Sequence, residues 1–95
     1  MSNLNTLSFI MRSKNRIKVL NTLNKGKMIS AQIEKQTKMY KSHTNRTLKE
    51  LKDKKLIKCI NPTDREYKFY IITKEGKKAL SEANKIIEEV KKDKK

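Results

Sequence analysis

Residues 30–73, SAQIEKQTKMYKSHTNRTLKELKDKKLIKCINPTDREYKFYIIT, carry the reading on which the fold depends. The stretch opens on a short segment, residues 30–38, in which Ile33 and Thr37 share a side at helical spacing, with Met39 following in a turn that would bury it. Ser30 stands where a helix N-cap would stand. A second helical pattern covers residues 41–54, where Thr44, Leu48 and Leu51 recur at i, i+4 and i+7 and define a buried stripe with Thr47 on its border. At about 100° per residue the opposite side carries Ser42, Asn45, Arg46, Lys49 and Asp53.

The periodicity then changes. Leu56, Ile57 and Ile60 belong to a first extended run, residues 56–61, and Asn61-Pro62-Thr63-Asp64 supplies turn chemistry, with Pro62 unable to continue a ladder. The second run, residues 67–73, alternates Phe69 and Ile71 against Lys68 and Tyr70 and is rich in β-formers. Helix, turn, helix and ribbon in that order describe an α+β winged helix-turn-helix.

Working outward, residues 13–24 form the first helix of a three-helix core. Ile17, Leu20 and Leu23, with Val19 beside them, make its apolar side, Ser13 its N-cap and Gly26 its stop. On the far side Thr73, Glu75 and Gly76 open a capped helix over residues 74–93. Its apolar positions are Ala79, Leu80, Ala83, Ile86, Ile87 and Val90, and positions 80, 83, 87 and 90 follow the 3,4,3 spacing of a helix–helix seam. Ala79 and Leu80 pack on the domain itself; Leu80, Ala83, Ile86, Ile87 and Val90, with Leu7 and Ile10 near the start of the chain, are the expected interface of a homodimer. The whole chain, residues 1–95, reads as one domain, with core and two-stranded wing in 13–73 and a C-terminal dimerisation helix in 74–93.

The formal net charge of +15 on 95 residues implies a polyanionic partner. Arg12, Lys14, Arg16, Lys18, Lys25 and Lys27 precede Glu34, the first carboxylate in the chain, so the excess belongs to the body of the domain. A heat-adapted lysine-rich surface is the plain alternative, but heat adaptation raises Glu alongside Lys, and here Glu lags. Enzymatic readings fail for lack of parts: both glycines, Gly26 and Gly76, sit at helix boundaries, leaving no phosphate loop, and no nucleophile has a base beside it. No cofactor is expected. No metal site is expected either, because Cys59 and His43 fall on different elements. Cys59 is unpaired, which suits a reducing interior, and reads as a small core residue of a strand. With no signal peptide and no apolar run of about 18 residues, the expected location is the cytoplasm.

Duplex DNA is the polyanion that this order of elements suits. Lys41, Ser42, His43, Asn45, Arg46 and Lys49 would face the major groove, where Arg and Lys reach guanine edges or phosphates and Asn bonds adenine. Lys14 and Arg16, with Lys18 and Arg12, would grip phosphates, and Arg65 and Lys68 would do so from the wing, tempered there by Asp64 and Glu66. His43 flanks the reading side, where exposure alone would also explain it. Two-fold symmetry would set two such helices about 34 Å apart along the duplex, or a multiple of that. The leading expectation is a sequence-specific regulator, a dimeric repressor. An architectural protein coating DNA with little sequence preference is the alternative, and a winged-helix module for RNA or protein contacts a third.

KSHTNRTLKELKDKKLIKCINP at 41–62 and YKFYIITKEGKKAL at 67–80 resemble winged-helix transcriptional regulators of the ArsR/MarR type, most closely their small archaeal members. The resemblance covers residues 13–80 and includes ITKEG at 72–76 as a helix start and DRE at 64–66 as a wing tip. It implies the fold and DNA binding. Three positions depart from the family pattern. Lys38 takes a turn position where Gly is common, which implies a left-handed backbone there; Lys55 replaces the Gly that ends the recognition helix; and Glu34 replaces a small Ala, which implies a looser contact between the two helices. The length leaves no room for the long flanking helices that form the ligand pocket of full-length MarR proteins.

Overall fold

The computed structural model describes residues 4–93. Five helices and three short strands follow one another as α1 (Leu4–Met11), α2 (Lys14–Leu23), β1 (Met28–Ile29), α3 (Ser30–Thr37), α4 (Lys41–Asp53), β2 (Ile57–Cys59), β3 (Phe69–Ile72) and α5 (Lys74–Asp93). The strands form one antiparallel sheet in the order β1-β3-β2, with Cys59 opposite Tyr70 and Ile29 opposite Phe69. This is the α+β winged-helix architecture that the sequence implies.

Two elements go beyond that expectation. The apolar cluster at Leu4, Leu7, Phe9 and Ile10 is a helix, α1, which packs against α2 and α5. The sheet has a third strand, because Met28 and Ile29, just after the stop at Gly26, pair with Tyr70 and Phe69. A two-residue strand has no period to read. Both remaining strands are shorter than their sequence runs.

The core is a single cluster to which every helix contributes: Ile10, Val19, Leu20, Leu23, Ile33, Leu48, Leu51, Leu56, Ile57, Ile72, Ala79, Leu80 and Ala83. Three members, Ile10, Leu80 and Ala83, were expected at a dimer interface. They are at most 2% exposed within one chain, so they cannot also line a contact between chains. Short helices need this cluster, since isolated helices below about 12–15 residues are marginal in water.

Helix ends show how the elements are joined. Ser13 caps α2 by accepting from the Arg16 N–H at 3.4 Å. Ser30 is the first residue of α3 and not its cap: Ile29 holds the cap position, and its N–H donates to Gln32 Oε1 at 3.0 Å. Thr73 caps α5, its Oγ1 accepting from the Gly76 N–H at 3.1 Å while donating to the Lys55 carbonyl at 2.8 Å. Gly76 is needed there for space. A Cβ would run into the Leu56 backbone oxygen and come within 2.8 Å of Ile72 Cγ1.

Candidate nucleic-acid interface

Helix α4 is divided cleanly along its length. Thr44, Thr47, Leu48 and Leu51 are buried, whereas Lys41, Ser42, His43, Asn45, Arg46, Lys49 and Asp53 are exposed. Thr44 is polar yet fully buried, and it is satisfied locally by donating from Oγ1 to the Tyr40 carbonyl at 3.0 Å. Helix α3 braces α4 through a turn in which Lys38 takes φ 59°, ψ 27°, the left-handed conformation expected at that position. Thr37 supports the turn, donating from Oγ1 to the Ile33 carbonyl at 2.7 Å and accepting from the Met39 N–H at 3.3 Å. The far end of α4 closes on Lys55 at φ 61°, also left-handed.

The wing is held by the carboxamide and carboxylate of Asn61 and Asp64, the two ends of the segment to which the sequence assigns turn chemistry. Asn61 bridges its base, donating from Nδ2 to the Tyr67 carbonyl at 2.6 Å and accepting at Oδ1 from the Phe69 N–H at 2.8 Å. At the tip, the N–H groups of Tyr67 and Glu66 donate to Asp64 Oδ1, each at 2.8 Å, and hold its carboxyl below the usual carboxylate pKa. Asp64 is therefore a turn-former as well as a negative charge. Arg65 and Lys68 beside it are exposed, as is Tyr67. Cys59 is half-buried, not sealed in the core, with its thiol 3.8 Å from Asn61 Oδ1. Partial burial, with Cys59 across the ladder adding to it, pushes the Tyr70 phenol up.

Of the basic residues expected to reach phosphates, Lys14, Lys18 and Arg12 are exposed. Arg16 is not available. Its Nη1 donates to the Phe9 carbonyl at 2.6 Å, its Nε and Nη2 meet the Glu50 carboxylate at 3.3 and 3.2 Å, and its guanidinium lies 3.8 Å from the Phe9 ring centroid. Only 16% of that side chain is exposed. Arg16 thus ties α1, α2 and α4 together, and its charge is already matched by Glu50. No charge count could foresee this, because the partner carboxylate lies 34 residues away in sequence.

The expected dimer residues are split in the same way. Apart from the buried Ile10, Leu80 and Ala83, Leu7, Ile86 and Ile87 are half-buried and Val90 is 48% exposed. Tyr40, which the sequence reading passed over, is 78% exposed at the head of α4. Among the described residues, no helix is long and apolar enough to cross a membrane, and no group of three His, Cys, Asp or Glu side chains is placed to hold a metal ion.

A family model described as HVO_A0261 N-terminal domain matches residues 4–95. No curated protein matches the chain. Among solved structures, the chain is similar to a MarR family transcriptional regulator from Silicibacter pomeroyi, with TM-score 0.71 and 26% identity over 81% of this chain and 52% of that one. It is similar to the transcriptional regulator BldR from Sulfolobus solfataricus, with TM-score 0.77 and 22% identity over 90% of this chain and 63% of that one. BpsR of Bordetella bronchiseptica, whose DNA binding is regulated by 6-hydroxynicotinic acid, aligns with TM-score 0.76 and 20% identity over 85% of this chain and 63% of that one. The chain therefore has the fold of the MarR-family winged-helix regulators and spans between half and two-thirds of the length of these three structures.

Proposed function

The chain belongs to the HVO_A0261 N-terminal domain family, and we propose that it is a double-stranded-DNA-binding transcriptional regulator that inserts α4 into the major groove. One observation carries this reading: the outward side of α4 holds Ser42, Asn45, Arg46 and Lys49, all exposed, on a helix whose other side is locked into the core. A rigid helix with free hydrogen-bonding side chains can read base edges as well as grip phosphates. Lys41 and His43 flank that side; Lys14, Lys18, Arg65 and Lys68 add exposed positive or polar reach, and Arg16 drops out as a phosphate contact. The net charge of +15 suits the partner. BpsR, of the same fold, is described by its DNA binding.

The finer reading is a homodimeric repressor. Its support is the apolar surface left uncovered on the distal half of α5 and on α1, where Val90 is 48% and Leu4 82% exposed and Ile86, Ile87 and Leu7 are half-buried. Two-fold pairing through these helices would present two copies of α4 to an inverted repeat.

Selection from randomised duplexes at raised salt tests the proposal. The expected result is one enriched inverted-repeat motif, with Arg46→Ala costing about 1–3 kcal/mol and relaxing preference at one position of each half-site. Recovery of no motif, with equal loss of affinity on every duplex as salt rises, would instead establish the architectural alternative.

A further inference from the structure

We propose that Tyr40 is a specificity-determining residue whose ring, steadied by His43, makes an apolar contact with a thymine C5-methyl in the major groove; this rests on the reading of α4 as the helix that enters that groove. Tyr40 occupies the N-cap position of α4, where Ser, Thr, Asn or Asp would serve the helix, and its side chain makes no capping hydrogen bond. The residue does not serve the core either, being 78% exposed. Its backbone is nevertheless fixed. The Tyr40 carbonyl accepts from the Thr44 N–H at 2.9 Å and from Thr44 Oγ1 at 3.0 Å, and Thr44 is fully buried. The ring meets the His43 ring edge-on at a centroid distance of 5.9 Å and 79° between planes, and both side chains stay exposed.

A large aromatic side chain held out in water on a fixed backbone, with few side-chain torsions to immobilise, is suited to burial on binding. Its exposed neighbours on α4, Lys41, Ser42, Asn45 and Arg46, are all polar, so the Tyr40 ring is the main apolar surface at that end of the helix. The N-terminal residues of a recognition helix are the ones that approach base edges. Among those edges the thymine methyl is the one apolar feature in the major groove.

The test uses the full chain and the duplex motif that it selects. Each thymine is replaced in turn by deoxyuridine, which removes only the methyl group, and affinity is measured at one salt concentration for the wild type, Tyr40→Phe and Tyr40→Ala. One replacement should weaken the wild type and Tyr40→Phe about fourfold, the weight of one buried methyl. Tyr40→Ala should be weakened on the thymine duplex and indifferent to that replacement. Circular dichroism checks that the substitution at this exposed position leaves the fold intact. The proposal is overturned if Tyr40→Ala keeps the wild-type response to deoxyuridine, or if it loses affinity evenly on all duplexes, which is the mark of a sugar–phosphate contact. A wild type that selects no motif would overturn the DNA-reading proposal itself, whereas a selected motif with no Tyr40-dependent thymine overturns this inference alone.

Discussion

Lys38 and Lys55 hold left-handed backbone, at φ 59° and φ 61°, that an L-residue with a Cβ adopts at a cost of roughly 1–2 kcal/mol. Both close a helix, and both carry an exposed side chain. Among the described residues, neither lysine side chain makes a hydrogen bond or an ion pair. Glycine would relieve the strain but would also loosen the unfolded chain, which offsets part of the gain. Lys38→Gly and Lys55→Gly are each expected to stabilise the fold by about 0.5–1 kcal/mol, seen as an upward shift of the urea midpoint with an unchanged slope. A fall in the midpoint would mean that the lysine stems contribute packing that their exposure does not suggest. Gly76 is the opposite case, because its φ is unremarkable and the closeness of the Leu56 carbonyl and Ile72 demands that it lack a Cβ.

At the scale of elements, Arg16 joins three helices at one point, and Lys54 lies 5.4 Å from the same Phe9 ring that the guanidinium covers at 3.8 Å. Arg16→Met keeps much of the stem but removes the donors to Phe9 and Glu50. Leaving the Phe9 carbonyl and the Glu50 carboxylate without that partner should cost about 2 kcal/mol in denaturant unfolding. A loss within error would mean that solvent replaces the pair at no cost. The pair also shows where reading from sequence stops. The α4 stripe of Thr44, Leu48 and Leu51 was legible because burial on one side of a helix imposes a period, and the caps at Ser13 and Thr73 were legible because they are local. The partner of Arg16, by contrast, is chosen by tertiary packing. Helix α1 and strand β1 escaped for want of a clear period, one being a short apolar run and the other a residue pair. The exposed polar residues of α4 were identifiable as candidates from the same period; Tyr40 was not, because it precedes the helix and belongs to no stripe.

At the scale of the whole molecule, the charge of +15 overstates what a duplex would meet, because some of it is already answered within the fold. Arg16 is matched by Glu50, while Lys14 two residues earlier in α2 is exposed with no ion pair among the described residues. Salt dependence can tell these two bases apart. Each phosphate contact that is lost lowers the slope of log affinity against log salt by about 0.9. Lys14→Gln is therefore expected to reduce the slope by about one and to weaken binding evenly across sequences, without changing the selected motif. The double replacement Arg16→Met with Glu50→Met leaves net charge unchanged and should leave the slope unchanged too, although it removes a link between helices. The reverse pattern, a flat response to Lys14→Gln and a reduced slope for the double variant, would mean that Arg16 leaves Glu50 for a phosphate when DNA is bound. In that case the tie between α1 and α4 would be one that DNA binding breaks, and the stability lost in Arg16→Met would be subtracted from the affinity of the wild type for every duplex.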